Sequence, residues 1–169
     1  MPTTGVVVPD RSEEPTVSRR DMIRMTEEEV AAYLAEQRDL QVASINADGS
    51  PHLVTMWFTV LDGDICFWTY GRSQKIVNLQ RDPRVTVLCA DGDDYGELRG
   101  VTISGRATIL EDRGPVNEIG EAVFEKYWGP INDDATREGV RSMGAKRLGV
   151  RITPEKVVSW DHSKLAGAY

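Results

Sequence analysis

The chain has 169 residues, 40% apolar and 28% charged, with 4 Trp, 5 Tyr and 3 Phe, enough to build one domain around a real core without disulfide or metal staples. Its net charge of −7 argues against a general binder of nucleic acid or anionic membrane, which needs a positive field over much of its surface. The run Val6-Val7-Val8, set among Pro2, Pro9 and Pro15, is too short for a signal or membrane-spanning segment, and Cys66 and Cys89 read as buried thiols of a reducing cytosol, so a cytoplasmic protein is expected.

Residues 1–24 combine three prolines with mixed charge and no sustained period. They predict a flexible, extended arm, or a tail swapped onto a partner subunit, ahead of one domain over 25–169. Thr26 and Glu29 form a capping box, and Val30, Tyr33 and Leu34 give the stripe of a first helix ending near Arg38. From Leu40 the period changes to two. Runs at 40–46, 52–60 and 64–70 are bounded by Asp48-Gly49 and Asp62-Gly63, dipeptides that tolerate the positive φ of tight hairpin turns. Strands at 85–90 and 100–110 follow, with Gly105 expected at a bulge or bend.

Gly114-Pro115 opens a second helix carrying Val116, Ile119, Gly120, Val123, Phe124 and Tyr127 at helical spacing. A shorter helix is expected over 134–143, then two closing strands at 147–153 and 156–161. About seven short strands joined mainly by hairpins, with peripheral helices, predict a mainly β fold: an antiparallel barrel, which also removes exposed sheet edges.

Little in the chain offers side-chain chemistry. His52 and His162 are the two histidines, neither has a partner at metal or dyad spacing, and no metal site is expected. Asp91, Asp93 and Gly96 loosely mimic a calcium loop, but its twelfth position is Thr102, not a bidentate Glu. There is no Gly-x-Ser-x-Gly elbow, P-loop or dinucleotide fingerprint. If the protein is an enzyme, its reactive atoms belong to a cofactor.

The informative stretch runs from Thr69 to Val85. It takes the end of a strand into a short helix with Ser73 at the N-cap and Ile76 and Leu79 inward, and Pro83 stops the helix by disfavouring α geometry at Asp82. Arg72, Lys75, Arg81 and Arg84 against Asp82 make a +3 island in a chain of −7. First-turn N–H groups, the helix dipole, a hydroxyl and an ammonium together favour an anion such as a phosphate; an ordinary capped helix with solvated cations is the alternative. Strand 52–60 puts Val54, Met56, Phe58 and Val60 on one face and Leu53, Thr55, Trp57 and Thr59 on the other. A Trp between two threonines suits a planar, hydrogen-bonding ligand or a second subunit, or else is half-buried sheet filler.

Thr69, Ser73, Lys75, Asn78-Leu79 and Pro83-Arg84-Val85, preceded by the Asp48-Gly49-Ser50-Pro51 turn and Trp57-Phe58, resemble the split β-barrel flavin-binding family typified by pyridoxamine 5′-phosphate oxidase. The similarity is greatest to its deazaflavin-dependent branch, whose members use coenzyme F420, FMN or occasionally haem. It covers roughly residues 26–161 and implies an FMN-binding-like split barrel that forms a homodimer with cofactor sites at the interface. By position, Ser73 and Lys75 match the phosphate-binding residues, Thr69 and Gln74 are expected to line the same pocket, and Asn78 is expected among the cofactor-binding residues. Thr55, Met56 and Trp57 match the strand along the flavin ring. The Arg and Lys that true pyridoxamine phosphate oxidases carry on that strand are missing, which counts against vitamin B6 oxidation.

The resemblance implies an oxidoreductase that uses F420, or FMN as the alternative, to move a hydride to or from a small conjugated substrate. A non-catalytic protein that stores flavin, deazaflavin or haem is the other reading. A second basic run, Arg137, Arg141, Lys146, Arg147 and Arg151 against Glu138, is a candidate for the anionic tail of F420, or a solvated face. Trp160, His162 and Lys164 are candidates for the pocket rim.

Overall fold

A computed structural model of the protein describes residues 18–165. Its strands are β1 (Leu40–Ile45), β2 (Pro51–Met56), β3 (Thr59–Leu61), β4 (Asp64–Tyr70), β5 (Arg84–Asp91), β6 (Arg99–Leu110) and β7 (Arg147–Asp161). Its α-helices are α1 (Arg19–Met22), α2 (Glu27–Glu36), α3 (Gln74–Arg81), α4 (Arg113–Trp128) and α5 (Asp134–Gly144). The strands form one seven-stranded sheet in the order β2-β1-β5-β6-β7-β4-β3, antiparallel at every pairing.

Both dipeptide turns do what their chemistry predicts. Gly49 (φ 86°) turns β1 into β2, and Asp62 (φ 53°) with Gly63 (φ 85°) turns β3 into β4, the left-handed pair that matches strand twist in a two-residue hairpin. The capping box of α2 is also present, with the Thr26 hydroxyl accepting from the Glu29 N–H and the Glu29 carboxylate accepting from the Thr26 N–H.

The single strand expected over 52–60 is two strands at opposite edges of the sheet. Alternation holds as far as Trp57, with Leu53, Thr55 and Trp57 exposed, but Phe58 and Thr59 are both buried. β2 runs out of partner where Met56 meets Leu40, the first residue of β1. The chain then turns inward at Phe58, whose N–H donates to the Tyr127 hydroxyl, and resumes as β3 against β4. Because the two edge strands are consecutive in sequence, Trp57 and Phe58 tie the edges together and the sheet curls into a barrel.

The two closing strands expected at 147–153 and 156–161 are one strand, β7. The break appears as a bulge: Ser104 pairs with Lys156 and Gly105 with Pro154, leaving Glu155 as the extra residue. Proline lacks the N–H a regular ladder needs and is accommodated at such a bulge. Gly105 is required there because a Cβ would overlap the Thr153 carbonyl oxygen.

Two apolar clusters share β4. Ile65 and Phe67 face the barrel interior with Leu40, Val42, Phe58, Ile76, Leu79, Val87, Ile103 and Val150. Cys66 and Trp68 face outward under α4 and α5, against Val116, Ile119, Val123 and Val140. A strand covered on both faces reads as a continuous apolar run instead of an alternation, as Ile65–Trp68 does. Both thiols are free and buried, and burial pushes Cys66 up to about 11 and Cys89 up to about 12.

Of the arm expected over 1–24, residues 1–17 lie outside the described residues. The remainder includes α1 and is pinned to the end of the chain: the Asp161 N–H donates to the Ile23 carbonyl at 2.7 Å, the Met25 N–H to the Ser159 hydroxyl at 3.1 Å and the Lys164 ammonium to the Arg24 carbonyl at 2.9 Å. No helix among the described residues is long and apolar enough to cross a membrane.

Candidate functional site

The +3 stretch forms a corner at one end of the barrel. Ser73 has extended N-cap geometry (φ −70°, ψ 150°), and α3 ends at Asp82, whose carboxylate is bound by the Arg84 N–H and guanidinium. Ile76 and Leu79 are buried, which fixes the helix to the barrel and turns its first turn toward Thr69. The Ser73 hydroxyl caps nothing in its own helix and lies 3.5 Å from the Thr69 hydroxyl. First-turn N–H groups have no acceptor within a helix, so those of Gln74 and Lys75 stay available.

Lys75 completes the corner. Its ammonium donates to the Thr69 hydroxyl at 3.0 Å and is half-buried. Burial lowers its pKa from the ordinary lysine value, and no carboxylate offsets that effect. The arrangement therefore concentrates positive charge, hydroxyls and amide dipoles on one point and supplies no anion of its own, which is the chemistry of an oxyanion site.

Asn78 faces away from this corner. It is fully buried, its amide donating to the Ser44 hydroxyl at 3.2 Å and to Asn46 Oδ1 at 2.9 Å while its own Oδ1 accepts from Gln74 Nε2 at 2.9 Å. Gln74 is thus engaged along the helix. Arg81, beside it, donates to the Ile45 carbonyl.

Of Thr55, Met56 and Trp57 at the end of β2, Met56 packs against the barrel core and Trp57 is tied to α4. The Trp57 indole stacks on Tyr127 (4.6 Å between centroids, 18° between planes) and meets Trp128 edge-on at 4.8 Å, yet it stays 45% exposed. Tyr127 is held by donating to the Arg38 carbonyl and lies under the Arg38 guanidinium. Its hydroxyl pKa is raised by burial. The sequence places Tyr127 on an apolar stripe but gives no sign that it props Trp57, since only the fold brings the end of α4 to the β2–β3 link.

The second basic run disperses. Arg137 and Arg141 both bind the Glu121 carboxylate, at 2.5 and 2.7 Å, Arg151 lies 3.7 Å from Asp64, and Arg147 spreads its guanidinium over Trp68 at 4.5 Å and Tyr70 at 5.2 Å. Lys146 remains, and with Tyr70, Gly71 and Arg72 it lines a cleft of about 600 Å³ directly before Ser73. Among the described residues, neither Arg72 nor Lys146 has an ion-pair partner. Trp160, His162 and Lys164 lie at the far end of β7 from Arg147 and do not meet the corner: Trp160 covers Gly100, His162 contacts the Tyr95 carbonyl and Lys164 binds Glu29.

A family model described as pyridoxamine 5′-phosphate oxidase matches residues 26–161, which is nearly the whole described structure. The chain belongs to the pyridoxamine 5′-phosphate oxidase family. Among solved structures, this family member is similar to a conserved hypothetical protein from Mycobacterium tuberculosis, with 44% identity and a TM-score of 0.84 over 89% of this chain and 93% of that one. It shares its fold with an F420 reductase (21% identity, TM-score 0.57, 75% and 93% covered) and with the haem storage protein HutZ from Vibrio cholerae (17%, TM-score 0.62, 79% and 94%). No curated protein matches the chain.

Proposed function

We propose that this pyridoxamine 5′-phosphate oxidase-family protein is a cytoplasmic, homodimeric oxidoreductase. In this reading it holds coenzyme F420 at the dimer interface and serves hydride transfer to or from a small conjugated substrate. The observation that carries the reading is Lys75: a half-buried cation with a hydroxyl for its partner, no carboxylate nearby and a helix N-terminus beside it. A phosphate fits that corner because it supplies the missing negative charge and accepts from every donor present.

When bound, the cofactor ring supplies the reducing equivalent, and the protein contributes orientation and anion binding. Lys75, Ser73, Thr69 and the first-turn amides of α3 would hold the phosphate. β2 suits the ring because it is an edge strand, and an edge leaves every second backbone N–H and C=O unpaired by its own sheet. Trp57 keeps an exposed indole at the end of that strand. Among the described residues no carboxylate binds the hydroxyls or the ammonium of the corner, which leaves them to an incoming anion.

FMN presents the same phosphate and a three-ring system, so it is the second reading. The cleft of Tyr70, Gly71, Arg72 and Lys146 favours F420, whose anionic tail continues past the phosphate, whereas FMN ends there. Fluorescence titration of purified protein with F420 and FMN side by side tests both. Saturable F420 binding tighter than FMN is expected; saturation by neither ends the reading.

A further inference from the structure

The corner on α3 and the strand β2 are separate pieces of structure, yet a cofactor with a phosphate and a ring must touch both at a fixed distance. A chain of hydrogen bonds joins them, buried at Asn78 and reaching the surface at Gln74 and Ser50. Gln74 Nε2 donates to Asn78 Oδ1, Asn78 Nδ2 donates to Asn46 Oδ1, and Asn46 Nδ2 donates to the Ser50 hydroxyl at 3.2 Å. Ser50 in turn donates to Asp48 at 2.6 Å and is the residue before β2. One end of this relay is in the first turn of α3, beside Lys75; the other is the turn that launches β2. Asn78 is its centre, fully buried and with both ends of its amide used.

We infer that Asn78 is a positioning residue that sets the spacing between the phosphate corner and the ring strand, and so makes the site specific for phosphorylated cofactors. This rests on the reading above. An apolar side chain of similar branching could pack at the base of α3 without needing three polar partners, so packing alone does not call for an amide there. A hydrogen-bonded amide admits one relative placement of helix and strand, because any slip strands buried donors. A ligand that bridges two fixed points gains from their spacing, while a fragment that touches one point does not.

The test compares wild type with Asn78→Ala and Asn46→Ala, each titrated with F420 and FMN, with their phosphate-free ring compounds (the deazariboflavin chromophore and riboflavin), and with inorganic phosphate. In both variants the phosphorylated cofactor that wild type binds is expected to lose about 10-fold or more in affinity, while ring compound and phosphate each change by less than about 3-fold, since only the bridging ligand depends on the spacing. Parallel losses for the whole cofactor and both fragments overturn the inference, as does unchanged cofactor affinity. Asn46 is only half-buried, so Asn46→Ala decides the matter if Asn78→Ala does not fold. Wild type that binds neither cofactor sinks the functional reading itself, a result distinct from selective loss in the variants.

Discussion

Lys75 predicts a pH dependence of binding. Burial holds its pKa below the ordinary lysine value in the free protein, and a bound phosphate would raise it again by favouring the charged form. Binding therefore takes up a proton at high pH, and affinity falls as pH rises through the lowered pKa. Lys75→Ala removes a charge-assisted contact worth about 1–3 kcal/mol and flattens that dependence. Equal cofactor dissociation constants for variant and wild type across the alkaline range would dismiss the phosphate assignment. Lys126 behaves differently, because it belongs to the fold: its ammonium sits 3.6 Å over the Phe58 ring and donates to the Leu34 carbonyl, and burial lowers its pKa to about 8. Below pH 8 the folded state carries the full cost of a half-buried charge. Between pH 8 and the ordinary lysine value the folded protein holds fewer protons than the unfolded one, so stability rises with pH. Denaturant melts of wild type and Lys126→Met should diverge in that window, wild type gaining on the variant; a constant difference would show that Lys126 does not titrate there.

At the scale of elements, the joint between β4 and the helices α4 and α5 depends on two glycines. A Cβ at Gly120 would overlap the Trp68 ring, and one at Gly144 would come within 2.9 Å of it. Gly120→Ala is expected to cost at least about 1–3 kcal/mol, the usual penalty of overpacking a filled core, and to shift Trp68 fluorescence. Gly139, in the middle of α5, has open space around it, so Gly139→Ala should stabilise by roughly 0.5–1 kcal/mol through helix propensity alone. Chemical denaturation of the pair checks both signs, and similar effects for the two would contradict the packing shown. The hairpin turns and the capping box were legible in the sequence because each is decided by residues within a few positions, whereas Gly105 marked the irregularity in β6 but not that its extra residue, Glu155, lies on β7. The break at Trp57-Phe58 was not legible. The faces expected to alternate over residues 52–60 do so only as far as Trp57, because β1 supplies no partner beyond Leu40, a fact of pairing with a distant segment.

For the whole molecule, the proposed interface site predicts a native mass close to twice 18.8 kDa, retained when cofactor is added, and a monomer by native mass spectrometry would contradict it. The sequence by itself determined the β-rich class, the tight turns, the helices α2 to α5 to within about two residues and the clustering of Thr69, Ser73 and Lys75, because these follow from short-range sterics, capping and periodicity; it gave no sign of α1, which lies in the expected arm. Tertiary structure alone decided which charges remain unpaired, where Trp57 rests and which way Asn78 points. Arg137, Arg141 and Arg151 read as one positive run but are consumed by Glu121 and Asp64, and Asn78 shares a motif with the phosphate residues yet turns toward β1. Ion pairing and burial depend on contacts between segments far apart in the chain, and local spacing carries no record of them.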